Sequence, residues 1–185
     1  MEAKKKFDFV ALRVLIEGAA VKSLQQILRH HPASRLCAFA LYSDSDASTV
    51  LPSADERESR DERLAEHNGD LAYKFNPSEW SLEAEGADFF TEVCDLLQAE
   101  LDENEDDDLW HEWFAEGVYG ACVDALEAAL RMEPLASLRK DSGFLVTFHA
   151  APGLEEPEQA HRIIQRLNPP QIVVEHAAWL PLWGA

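Results

Sequence analysis

The sequence predicts one α+β domain over residues 1–185, built on a mostly antiparallel sheet of about four to five strands packed with helices. Three observations carry that expectation. Apolar residues recur at helical spacing at the start, in the middle and near the end of the chain, whereas short apolar runs bounded by turn residues fall between them. The hydrophobic fraction is 46% with five Trp and nine Phe, enough to bury a continuous core in 185 residues. No repeat or long linker divides the chain.

Taken in order, Ala11, Val14, Leu15, Leu24, Ile27 and Leu28 predict an amphipathic opening helix from Asp8 to His30, with Asp8 as N-cap and Pro32 as stop. His30 and His31 sit at its carbonyl end, where positive charge suits the macrodipole. Arg35 to Tyr42 is apolar on both alternating faces and predicts a central strand covered on both sides. After the turn residues Ser43-Asp44-Ser45-Asp46, Ala47 to Leu51 is expected to return as a strand ending at Pro52. Residues 55–67 mix both charge signs densely and predict a solvated helix or ordered loop. Leu71 to Phe75 reads as a short third strand, and Asn76 to Trp80 as a turn presenting an aromatic. Two acidic helices occupy residues 82–130. Phe89, Phe90, Val93, Leu96, Leu97 and Leu101 form the apolar stripe of the first, and Trp110, Trp113, Phe114, Tyr119, Cys122, Leu126 and Leu130 that of the second. Beyond Pro134, Phe144 to His149 predicts a strand and Glu155 to Leu167 a helix, with Ile172 to Val174 available as an edge strand.

Charge is the main functional signal. Residues 75–130 carry 17 Asp and Glu and no Lys or Arg, whereas residues 1–74 hold 12 acids and 11 bases and residues 131–185 hold 6 and 5. Nearly all of the net charge of -19 therefore lies in one segment. Such a concentration makes a directed field that attracts cationic partners and repels nucleic acid and anionic membrane. No apolar run approaches the roughly 20 residues of a membrane span, and the basic start Lys4-Lys5-Lys6 is followed by Asp8, Arg13 and Glu17 in place of a secretory apolar region. The expected compartment is the cytoplasm.

Motifs of chemistry are incomplete. Asp102, Asn104 and Asp106 occupy the first, third and fifth positions of a calcium loop, but Asp107 stands where that loop needs Gly, and Trp113 where it needs Glu. His111-Glu112 begins a zinc-protease pattern whose second His is replaced by Ala115. His149, His161 and His176 share no fixed spacing with one another or with a carboxylate. Cys37, Cys94 and Cys122 are odd in number, far apart and set in apolar sequence, as buried free thiols are. With neither a phosphate loop nor a nucleophile elbow, the sequence calls for no cofactor, catalytic group or metal. Trp80, Trp179 and Trp183 lie in turns or in the Pro-containing tail, where they serve either as interface anchors or as caps on the core edge.

Several segments together resemble a bacterial family known as a domain of unknown function, number 4303. They are Ala38 to Asp44 with Ser48 to Ala54, Tyr73 to Trp80, and Leu167-Asn168-Pro169, with Phe75 where the family more often has Trp. The resemblance implies kinship with small acidic proteins encoded near bacterial toxin and immunity genes; it brings no catalytic residues with it.

The expectation is therefore a non-enzymatic immunity protein that neutralises a cognate protein toxin with a basic surface. Asp102, Glu103, Glu105, Asp106, Asp107, Asp108, Glu112 and Glu116 would supply steering, and Trp80 the anchor. The alternatives are an enzyme, hydrolase or transferase, whose carboxylates assemble only in the fold, and an inhibitor that mimics nucleic acid.

Overall fold

The computed structural model describes residues 7–104, 107–150 and 157–182. Its one sheet among them has four strands: β1 (Leu36–Ser43), β2 (Val50–Glu56), β3 (Leu82–Glu83) and β4 (Leu145–Ala150), in the order β3-β2-β1-β4. The helices are α1 (Phe9–His30), α2 (Arg57–Glu66), α3 (Ala72–Phe75), α4 (Thr91–Glu103), α5 (Asp108–Ala129), α6 (Leu135–Leu138), α7 (Pro157–Leu167) and α8 (Pro170–Trp179). The α+β class holds, but the sheet is mixed: β1 pairs antiparallel with β2 and parallel with β4.

The unbroken apolar run of β1 has the reason expected of it. Phe39 and Leu41 point into a large core shared with α1, α4 and α5, while Ala38 and Ala40 face a smaller cluster with Phe75, Trp80, Leu145, Ile164, Ile172 and Trp179. The sheet is thus covered on both faces. Helix α1 begins where foreseen, with the Asp8 carboxylate accepting from Val10 N (3.1 Å) and Ala11 N (3.0 Å). It packs along α5, and their approach is close enough that a Cβ on Gly117 would come within 2.1 Å of the Phe9 ring.

Four local expectations need correction. Leu71 to Phe75 forms no strand: Ala72–Phe75 is a helical turn, and the third strand is the two-residue β3. The return strand starts at Val50 and runs through Pro52, beyond the stop expected there. The carbonyl of Pro52 accepts from Ala84 N (2.9 Å), so its missing N–H lies on the side of short β3 and costs the β1 ladder nothing. Ile172 to Val174 lies inside α8. The edge that it was expected to supply is covered differently: the buried Asn168 amide accepts from Val146 N (2.8 Å) and donates to Val146 O (2.6 Å), pairing with β4 as one residue of a strand would. Helix α7 lies over that edge, with Ile163 and Leu167 in the large core and Ile164 in the small one. Finally, Trp113 is half out of the core stripe assigned to it, because Phe9 and Phe114 fill the space beneath.

The residues that carry the family resemblance prove to be fold-holding groups. Asp44 accepts from Ser48 N (2.8 Å), Ser48 Oγ (2.7 Å), Thr49 Oγ1 (2.5 Å) and Asp46 N (3.2 Å), closing the β1–β2 loop around the buried Ala47, whose φ is 56°. Asn76 caps the turn at Pro77–Glu79 by accepting from Ser78 N, and Ser53 Oγ donates to Pro77 O (2.9 Å).

Candidate functional site

The acidic segment resolves into α4 and α5, as its two stripes require, but α1 is the helix on which both pack, and their direct contact is slight. Their charges meet at the connecting turn. Asp102 and Glu103 are exposed in the last turn of α4, and Asp108, Glu112 and Glu116 are exposed on successive turns of α5. Spacing of four residues aligns the last three along one face of the helix. None of these five carboxylates takes part in a salt bridge among the described residues. Asp107 has a structural task, since its side chain accepts from Trp110 N (3.0 Å) and caps α5. Glu105 and Asp106 lie outside the described residues.

Elsewhere some acids are matched and others, such as Glu58, Glu62, Asp88, Glu92 and Asp95, are exposed without a salt bridge among the described residues. Arg166 of α7 binds both Asp124 (2.6 Å) and Glu127 near the C-terminal end of α5. His30 and His31 bracket Glu85. The end of α4 and the first half of α5 hold five such carboxylates close together with no base among the described residues against them.

Trp80 does not belong to this face. It is 4% exposed, its indole N–H donates to Lys74 O (3.1 Å), and its ring fills the small core beside Phe75 and Trp179, which is itself buried. The anchor role assigned to it is corrected on that ground. Trp183 lies outside the described residues. Sequence reasoning missed the apolar side chains that do reach the acidic face: Leu109 is 78% exposed and Trp113 42% exposed, four residues apart on α5 among Asp108, Glu112 and Glu116. The available signal was that Leu109 falls off the stripe defined by Trp110, Phe114 and Val118.

Interior ionisable groups are spoken for. Burial alone would raise the Asp44 carboxyl, but the hydrogen bonds from Thr49, Ser48 and Asp46 outweigh it and hold the group below its usual value. The 1%-exposed Asp55 accepts from Arg63 Nη2 (2.5 Å) and from Ser81 N and Oγ (3.1 Å each). Burial pushes all three thiols upward, Cys37 to about 11, so none is activated as a thiolate at neutral pH. Among the described residues no group of three or more His, Cys, Asp or Glu is placed to hold a metal ion, and no helix is long and apolar enough to cross a membrane.

One pair that sequence spacing did not connect comes together between α7 and α8. His161 Nδ1 and His176 Nδ1 lie 3.1 Å apart, and Gln165 Nε2 lies 3.1 Å from His161 Nε2. With the amide nitrogen donating to His161 Nε2, His161 carries its proton on Nδ1 and donates it to a neutral His176. Burial, and then the charge of His161, push His176 down to about 4. A base depressed in the folded state leaves stability intact above pH 6.5 and lowers it as the pH falls toward 4, because the unfolded chain takes up the proton first. Urea denaturation of wild type and His176→Gln between pH 7 and 5 checks this: the wild-type slope should be the steeper, and parallel slopes would remove His176 as its source.

Fold and site together define a class, a small α+β protein with a cluster of exposed carboxylates at the end of α4 and on the first half of α5, and with no assembled catalytic constellation among the described residues. The family is shown by residues 16–169, which match the model of Domain of unknown function (DUF4303); the chain belongs to that family. No curated protein and no solved structure matches it.

Proposed function

We propose that this chain is a non-enzymatic binding protein that captures a basic protein partner on the face formed by the α4–α5 turn and the first half of α5. A cognate bacterial toxin is the partner that the family resemblance favours. The observation that carries this reading is the set of five exposed carboxylates, Asp102, Glu103, Asp108, Glu112 and Glu116, without a salt bridge among the described residues and surrounding Leu109 and Trp113. Two of them stand where local energetics disfavour them. Asp102 and Glu103 occupy the carbonyl end of α4, whose last turn holds no base, at a cost of roughly 0.3–1 kcal/mol each against the macrodipole. The Gln98 amide donates to Asp102 (2.8 Å) and offsets part of that cost, whereas Glu103 has no such bond among the described residues, and a broken local rule of that kind points to a use outside the fold. Charge would speed encounter, while Trp113 and Leu109 would supply the desolvated contact that slows release.

The test is the triple substitution of Asp108, Glu112 and Glu116 by Lys, with the cap Asp107 kept, beside Trp113→Ala. Association with the stoichiometric partner recovered on the tagged chain would be followed by stopped-flow at several salt concentrations. The triple variant should associate about 10- to 100-fold more slowly at low salt, with a flatter salt dependence. Trp113→Ala should leave association alone and hasten dissociation about tenfold or more. Unchanged kinetics in both variants would refute this face.

A further inference from the structure

Beside the acidic face, α5, α7 and the end of β4 enclose a cleft of about 360 Å³. That is within the roughly 300–1,000 Å³ of sites that hold organic groups. Its floor is apolar, built from Val123, Phe148 and Ile163. Tyr119 turns its hydroxyl away to donate to Asp44 O (2.7 Å) and Ser45 O (3.2 Å), and so leaves the cleft its ring. One wall carries Glu116, the last carboxylate of the proposed binding face and one without a salt bridge among the described residues.

Two arginines line the opposite side, and their partners decide the sign of the site. Arg166 is held between Asp124 and Glu127, and Arg131 lies 3.8 Å from Glu127, so that group is neutral and Arg166 is fully matched. Among the described residues Arg162 faces Glu158, at 3.8 Å, with both side chains mostly in water. Counted with their partners, four carboxylates stand against three guanidinium groups, a net charge of -1 beside the opening, and among the described residues Glu116 is the one carboxylate that lines the cleft itself. An anion entering here would compete with Asp124 and Glu127 for Arg166 and would meet Glu116. A neutral apolar group would suit the floor but strip water from Glu116 without replacing it. A long side chain with an apolar stem and a cationic end satisfies both, lying on Phe148, Val123 and Ile163 and ending at Glu116 across the Tyr119 ring.

We propose that this cleft is the anchoring pocket for a lysine or arginine side chain of the basic partner. The identity of the donor rests on the binding role proposed above; the chemistry of the cleft does not.

The isolated chain is enough to test it. Titration of the ¹⁵N-labelled protein with n-butylguanidinium should move the amides of Gly120, Val123 and Ile163 saturably, and n-butanesulfonate should not. Glu116→Gln should weaken the cation about tenfold, the loss of one charge-assisted hydrogen bond. Saturation by the sulfonate, absence of saturation by the cation, or indifference to Glu116→Gln would each overturn the proposal. Because no partner is used, those failures are separate from a failure of the kinetic variants to slow capture.

Discussion

Replacing Asp55 by alanine is expected to destabilise the protein by about 3–5 kcal/mol, the range for removing one member of a buried ion pair. The carboxylate is 1% exposed at the end of β2. It accepts from Arg63 Nη2 (2.5 Å) and, through its other oxygen, from Ser81 N and Oγ. Without it, a guanidinium on α2 whose Nε is already buried without a hydrogen-bond partner among the described residues would lose its counter-charge, and the Ser81 amide its acceptor. Helix α2 has no fully buried residue of its own, so this ion pair is a principal tie between that charged helix and the sheet. Equilibrium urea denaturation of Asp55→Ala, Arg63→Met and the double variant measures it. The double variant should recover much of the loss, because two apolar groups leave no charge uncompensated. Additive losses would mean that the two side chains act independently.

Asn168→Ala should cost about 2–4 kcal/mol by a different route. The Asn168 amide satisfies Val146 N–H and C=O on the outer edge of β4 and also donates to Ile164 O (3.1 Å). Val146 is fully buried, so no water replaces those partners, and each orphaned group costs about 1–3 kcal/mol. Asn168→Asp should be no better, since it would set a carboxylate oxygen against two carbonyls. Hydrogen exchange at Val146 gives the local readout. Its amide should exchange faster in the variant by more than global destabilisation explains, and an unchanged local rate would show that the edge is satisfied by something else.

Much of this architecture was legible because it follows from periodicity and punctuation. Helix α1 was announced by its stripe and by Asp8, α4 and α5 by their stripes, and β1 by a run apolar on both faces. The errors share a cause. Leu71 to Phe75 and Ile172 to Val174 are short apolar runs with no period of their own, and tertiary contacts made both helical: Phe75 and Ile172 are buried in the same small core under the sheet. The direction of the β1–β4 pairing was hidden for a similar reason, since strands separated by about a hundred residues carry no local turn to fix their sense.

The candidate site divides in the same way. Its charge was readable residue by residue, because a segment without Lys or Arg must show its acids to water or bring in a base from elsewhere. Which acids found a base was not. Arg166 reaches Asp124 and Glu127 from about forty residues away, whereas Asp108, Glu112 and Glu116 meet no base among the described residues. The aromatic choice failed on burial: Trp80 entered the core through its neighbours in space, while Trp113 was displaced outward by Phe9 from the far end of the chain.

By itself, then, the amino-acid sequence determined the α+β class, the long helices and the concentration of negative charge, all consequences of side-chain order along a local period. Only the tertiary structure decided the mixed sheet, the covering of β4 by Asn168, the pairing of His161 with His176, and which carboxylates Arg166 reaches. Each of those depends on groups distant in the chain meeting in space, and local pattern contains no term for that.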